Sequence, residues 1–272
     1  MPHIKTYIIL ASVLATITLP SQAAILIDEP FDTDLAGWTN ETPTFTYNGT
    51  GLSYSGYAST GGAASDATTS QGAPLTLLLT GGNAVTLAED TTYWGGFLMR
   101  VDRASSFDRT FGFLDGAPNN LSNPTNVTLG FDFTNDSSPA TINPYLNGSE
   151  IGSQHTLTLD ETTLVLFRAT TGVGAGSDVV DVWINPDLAA SSGSSIVGAD
   201  ASWIGSTATL RGANNFDRFI FNSSVGGKTT FDELRLTNSY SELVTAVPEP
   251  STMLFLFSGV LFLLSLRRLR TH

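Results

Sequence analysis

Apolar and polar residues alternate in short runs along most of this chain, and Gly, Asn or Pro closes nearly every run. Such period-two alternation over four to eight residues marks half-buried β-strands. It predicts strands over 44–48, 51–55, 75–79, 93–101, 110–114, 127–133, 157–159, 164–170, 179–184, 207–210, 216–222 and 229–237. That many strands in one unit imply two packed antiparallel sheets, so the predicted fold is all-β, a two-sheet sandwich. No helical stripe recurs; the one short helix expected covers 239–244, where Ser239 can cap and Glu242 stands three residues on. Two Gly/Ser-rich stretches, 59–72 and 189–198, read as long surface loops.

Both ends break the alternation. His3 and Lys5 precede an apolar run over 7–19, and the small residues Ser21 and Ala23 follow it at a cleavage-type site, so 1–23 reads as a signal peptide with a helical centre. At the other end 253–266 carries no charge, and counting from Val247 to Leu266 gives 20 residues, enough for a transmembrane helix. Arg267, Arg268 and Arg270 follow; the positive-inside rule keeps them cytoplasmic and everything before Val247 outside. Pro248 and Pro250 hold the residues before them out of the helical region, which gives an extended turn ahead of the helix. The chain thus divides into a signal peptide (1–23), an extracytoplasmic β-sandwich (24–246) and a tail (247–272).

The order Val247, Pro248, Glu249, Pro250, Ser251, Thr252, then an apolar helix, then Arg267, Arg268 and Arg270, resembles the PEP-CTERM sorting tail of Gram-negative bacterial exoproteins. The resemblance implies export through the secretion machinery, an exosortase as partner, processing near the Pro-Glu-Pro, and strains that make extracellular polysaccharide. It points to an envelope-anchored protein, held in the membrane by its C-terminal helix or released to the cell surface, that serves as a noncatalytic component of the surface or biofilm matrix. Within the domain, 93–101, 163–184, the closing stretch from Phe231 to Val244 and the opening stretch from Phe31 to Trp38 resemble laminin-G-like and concanavalin-like jelly rolls. That second resemblance implies a structural Ca²⁺ where first and last strands meet, with Asp232 as ligand and Glu29 or Asp32 beside it; a turn-capping or solvent-facing Asp232 is the other reading. It also carries the alternative function, a lectin-like carbohydrate-binding module.

Charge and composition narrow the chemistry. Of the 12 Lys/Arg, four (Lys5, Arg267, Arg268, Arg270) lie in the two ends, and of the 25 Asp/Glu only Glu249 does, so the domain carries a net −16. Nucleic acid is excluded as a partner, since phosphate binding rests on clustered Lys and Arg. Cysteine is absent, so an exported domain of this size holds together by its core alone. A glucanase-type Glu-x-Asp-x-x-Glu is missing, and in the adjacent acids Asp28-Glu29, Glu89-Asp90, Asp160-Glu161 and Asp232-Glu233 neighbours point to opposite faces of an extended strand. His155 is the one histidine of the domain, and no Gly-x-Ser-x-Gly elbow accompanies it. The expectation is therefore no enzyme. Sugar stacking would fall to rings in loops or at strand ends: Trp38, Tyr54 and Tyr57 foremost, with Tyr47 and Trp203 behind them.

Overall fold

A computed structural model describes residues 25–245 apart from 41–44, 67–74, 79–84, 104–108, 115–126, 135–139, 174–177, 209–217, 222–227 and positions 30, 32–33, 36–37, 58, 86 and 147–148. The expected signal and tail helices lie outside the described residues, and among those described no helix is long and apolar enough to cross a membrane.

The strands are β1 (Ile25–Glu29), β2 (Trp38–Asn40), β3 (Phe45–Asn48), β4 (Ala63–Asp66), β5 (Leu75–Leu78), β6 (Thr92–Arg103), β7 (Arg109–Leu114) and β8 (Val127–Thr134). They continue with β9 (Ala140–Leu146), β10 (Ser149–Glu150), β11 (His155–Leu157), β12 (Thr162–Thr170), β13 (Asp178–Ile184), β14 (Ala201–Ala208), β15 (Arg218–Phe221) and β16 (Lys228–Thr237), and α1 (Tyr240–Val244) closes the domain. Two antiparallel sheets form. The first runs β14-β13-β12-β6-β16-β4-β3, with β1 sharing the far edge of β16; the second runs β10-β9-β8-β7-β15-β5-β2, with β11 also on β9. The two-sheet antiparallel sandwich is as the alternation predicts.

The centre of the first sheet is buried on both faces, which explains why its central strands read as nearly continuous apolar runs. Along β12, Val165, Phe167 and Ala169 enter the core between the sheets, while Leu164 and Leu166 enter a second cluster on the outer face. Along β13, Val180, Val182 and Ile184 point inward and Trp183 outward. Trp183 stacks on Trp94 at 5.9 Å, and the Arg168 guanidinium lies 5.4 Å from both rings while paired with Asp181. The Gly95-Gly96 pair in β6 serves the two layers separately. A Cβ on Gly95 would lie 2.0 Å from the Phe167 ring in the inner core, and one on Gly96 3.2 Å from the Tyr57 hydroxyl in the outer cluster.

What roofs the outer cluster is irregular chain: the segment 51–60, the loop 186–199 and α1, contributing Leu52, Tyr57, Leu188 and Leu243. The predicted strand over 51–55 is instead part of this cover, turned back by the Tyr57 N–H on the Tyr54 carbonyl at 3.0 Å. The expected loop over 59–72 contains β4, whose Ala63 and Ala64 are wholly buried between β16 and β3; small residues of low strand propensity fit there because packing decides. The strand expected at 157–159 is β11, two residues earlier, and that at 207–210 is the end of the longer β14. Pro144 hid β9, since proline inside a run argues against an interior strand. It is tolerated because β11 pairs with Ala140–Ile142 and β10 with Tyr145–Leu146. Pro144 faces the gap between them, where only its carbonyl is used, by the Ile151 N–H at 2.9 Å.

Candidate functional site

The densest set of ionisable groups sits where β16 meets the cover. Inward-facing Phe231, Leu234 and Leu236 are spaced three and then two apart, so one extra residue must be accommodated. The register against β6 accordingly slips from Asp232 opposite Leu98 to Arg235 opposite Gly96, and Glu233 takes a left-handed φ of 53°. This bulge overturns the expectation of opposed neighbours: both carboxylates turn to the cover. Asp232 accepts the Leu52 N–H at 2.6 Å and the Glu233 N–H at 2.8 Å. Glu233 accepts the Thr60 N–H at 2.6 Å and the Arg235 Nη2 at 2.7 Å.

Arg235 is the hub. Its Nε donates to Asp28 of β1 at 3.1 Å, its Nη1 to the Leu243 carbonyl of α1 at 3.4 Å, and its guanidinium lies 5.4 Å from the Tyr57 ring. The Tyr57 hydroxyl in turn donates to the Glu233 carbonyl at 3.0 Å. First strand, last strand, cover and helix are joined through one buried cation.

First and last strands do meet here, with Glu29 opposite Leu234, but the donor set does not suit Ca²⁺. A calcium ion needs 6–8 oxygens, whereas both Asp232 oxygens face amide hydrogens that would repel a cation. Glu29 accepts the Phe31 N–H at 3.2 Å, and Asp32 lies outside the described residues. Among the described residues no three His, Cys, Asp or Glu side chains gather so as to hold a metal. Asp232 works as an acceptor that anchors the cover.

The rings expected to stack on sugars are placed otherwise. Trp38 is 8 % exposed, between Phe31 at 5.3 Å and Phe221 at 5.4 Å, in the core between the sheets. Tyr57 is 4 % exposed beneath the cover, and Trp203 is 8 % exposed with its indole N–H on the Ser153 carbonyl at 3.1 Å. Tyr54 is half-buried and donates to the Pro186 carbonyl at 2.9 Å, tying the two cover segments together. Tyr47, 38 % exposed at the β3 edge, is the most open of the five. Burial explains the difference: a Trp beside Phe31 adds more by closing the core than by facing water.

Burial also holds the phenol protons of the cover. The Tyr54 pKa is pushed up to about 12, by burial first and then by Asp200 and Asp187. Tyr57 is pushed up by burial despite the opposing effect of Arg235. Both groups bind their proton more tightly folded than unfolded. The stability they contribute is intact below the unfolded pKa of 10.0 and lost as the pH rises through 10 toward about 12. Alkaline titration followed by phenolate absorbance should show these two ionising together with unfolding; reversible ionisation of both near pH 10 in a folded chain would contradict this.

A polar cleft opens where the β11–β12 connection passes the end of β13, lined by His155, Thr158, Glu161, Thr162, Asn185 and Asp200. Its polar groups are partly spent on the backbone. Asn185 donates to Asp200 at 2.8 Å and accepts the Leu164 N–H at 3.0 Å, closing the β13–β14 turn. His155 is an edge-strand residue paired with Ile142.

Residues 246–269 match the PEP-CTERM protein-sorting motif, so the chain carries this sorting signal at its C-terminus. No curated protein matches the chain. Among solved structures it is similar to a protein of unknown function from Shewanella oneidensis MR-1, at 10% identity over 78% of this chain and 82% of that one, with a TM-score of 0.43. It is also similar to the carbohydrate recognition domain of Emp47p, at 9% identity over 80% and 97% with a TM-score of 0.43. An endo-1,3-beta-glucanase from Streptomyces sioyaensis matches at 12% identity over 80% and 97%, with a TM-score of 0.40.

Proposed function

We infer that this is an exported surface protein, delivered by the secretion machinery and sorted by an exosortase that acts at Val247–Thr252, with 253–266 holding the precursor in the membrane until then. The match of 246–269 to the sorting motif carries this reading. The sandwich is a noncatalytic component of the cell surface or of an extracellular polysaccharide matrix, and its kinship with laminin-G-like jelly rolls belongs to the same proposal. In support, the adjacent carboxylates Asp232 and Glu233 are buried and engaged by backbone amides and Arg235, which keeps this pair from meeting a substrate. The lectin-like alternative would need a surface other than Trp38 and Tyr57.

Replacing Pro248, Glu249 and Pro250 together by alanine in the producing strain tests the sorting step. An unprocessed precursor should accumulate in the membrane fraction and disappear from the surface. Unchanged processing and surface display would refute exosortase sorting.

A further inference from the structure

The cover over the first sheet is unusual in its charge. The sequence has no charged residue between Glu41 and Asp66, or between Asp187 and Asp200, in a domain of net −16. The fold brings these two neutral runs side by side. The Tyr54 hydroxyl reaches the Pro186 carbonyl, and a Cβ on Gly56 would stand 3.0 Å from the Leu188 Cβ. Gly193 abuts Tyr240 of α1 in the same way, at 3.1 Å. Most of what this face shows to solvent is small and uncharged, as at Ser53, Ser55, Ala189, Ser194, Ser195 and Val197, while exposed Asp187 and Asp200 stand at the two ends of the loop. Glu242 is the acid of α1, and it is half-buried.

The last described residue, Thr245, follows α1 in this face. Leu243 is buried in the cluster beneath the cover, and the sorting motif begins at residue 246. Residues 246–252 then separate the domain from the apolar run at Met253. Extended chain covers at most ~3.5 Å per residue, so this tether is no longer than about 25 Å. Turning the opposite sheet to the bilayer would use that length merely to round two sheets packed about 10 Å apart and the cover above them. Electrostatics agrees. Anionic headgroups repel acidic surfaces within a Debye length of about 8–10 Å, so the uncharged stretches 51–60 and 188–199 can approach closely, with Asp187 and Asp200 at the two ends of the loop.

We propose that the face made by 51–60, 186–199 and α1 is the domain's lipid-facing surface in the tethered precursor, resting on the bilayer while the acidic faces point away. This rests on the reading of 253–266 as a membrane anchor. The chain lacks cysteine, so single-cysteine fluorescent labels report position directly. Ser53→Cys and Ser195→Cys probe the cover, and Thr156→Cys probes β11 of the other sheet, in the cleft that Asn185 and Asp200 also line. The labelled full chain is inserted into phosphatidylcholine–phosphatidylglycerol vesicles bearing a headgroup spin label. Quenching should be several-fold stronger at the two cover sites than at Thr156→Cys. Equal quenching in a carbonate-resistant chain would overturn this proposal alone; a chain that carbonate extracts would overturn the anchor as well. Cover labels shielded from a water-soluble quencher only at high protein-to-lipid ratio would mark a contact between two copies, and would also overturn it.

Discussion

Replacing Arg235 by methionine destabilises the domain by about 3–5 kcal/mol, the cost of breaking a buried ion pair from one side. The substitution keeps most of the stem volume and removes the charge, which leaves Glu233, wholly buried, without its cation. It also removes the side-chain bond to Asp28 and the donor to the Leu243 carbonyl. Urea unfolding followed by tryptophan fluorescence measures the loss. Adding Glu233→Gln to Arg235→Met should recover a large part of it, because the second change removes the stranded charge. A loss below about 1 kcal/mol, the ordinary range for an exposed pair, would mean that water reaches the site. Arg168 is the comparison: its guanidinium is partly exposed, but Asp181 beneath it is buried, so its removal also strands an acid and is expected to be destabilising.

Trp38→Ala should cost about 3–5 kcal/mol, as for other large aromatic truncations in a core. Trp38 stacks on Phe31 and Phe221 and meets Phe219 edge-on at 6.5 Å, and Phe221 carries the stack across to Phe231 of the opposite sheet at 4.1 Å. Trp38→Phe should be nearly neutral by comparison. Among the described residues the buried indole N–H has no partner, a defect worth about 1–3 kcal/mol, and phenylalanine removes it while giving up part of the ring. Thermal melts of the two variants decide the matter. If alanine is tolerated as well as phenylalanine, Trp38 is not part of the core. Any glycan-binding loss in a Trp38→Ala chain has to be read against this destabilisation.

The alternation of residues was enough to read the sandwich, because one face of every long strand must be apolar. What it could not supply was the roof over the first sheet. The segment from Gly51 to Thr60 has the small and aromatic residues of a strand, yet it is turned by Tyr54 and Tyr57 and held by two buried carboxylates more than 170 residues away. Those contacts leave no local trace. The bulge at Glu233, by contrast, was legible: Phe231, Leu234 and Leu236 cannot share a face of a regular strand, and that broken period is itself the signal for an inserted residue. The same break would have placed Asp232 and Glu233 together and argued for an anchoring role over metal binding. The burial of Trp38 and Tyr57 was not legible, because a place near turns says nothing about which layer closes over a ring.

The pairing of β1 with β16 sets Ile25 opposite Thr237. The first strand after the expected signal peptide therefore finds its neighbour only when nearly the whole domain has emerged. Contacts of such long sequence separation form slowly, since the loop must close before the pairing is rewarded. Until then Asp28 lacks Arg235 and the outer cluster lacks Leu243. A chain threaded unfolded through a translocation channel therefore cannot complete this fold before its last strand has emerged.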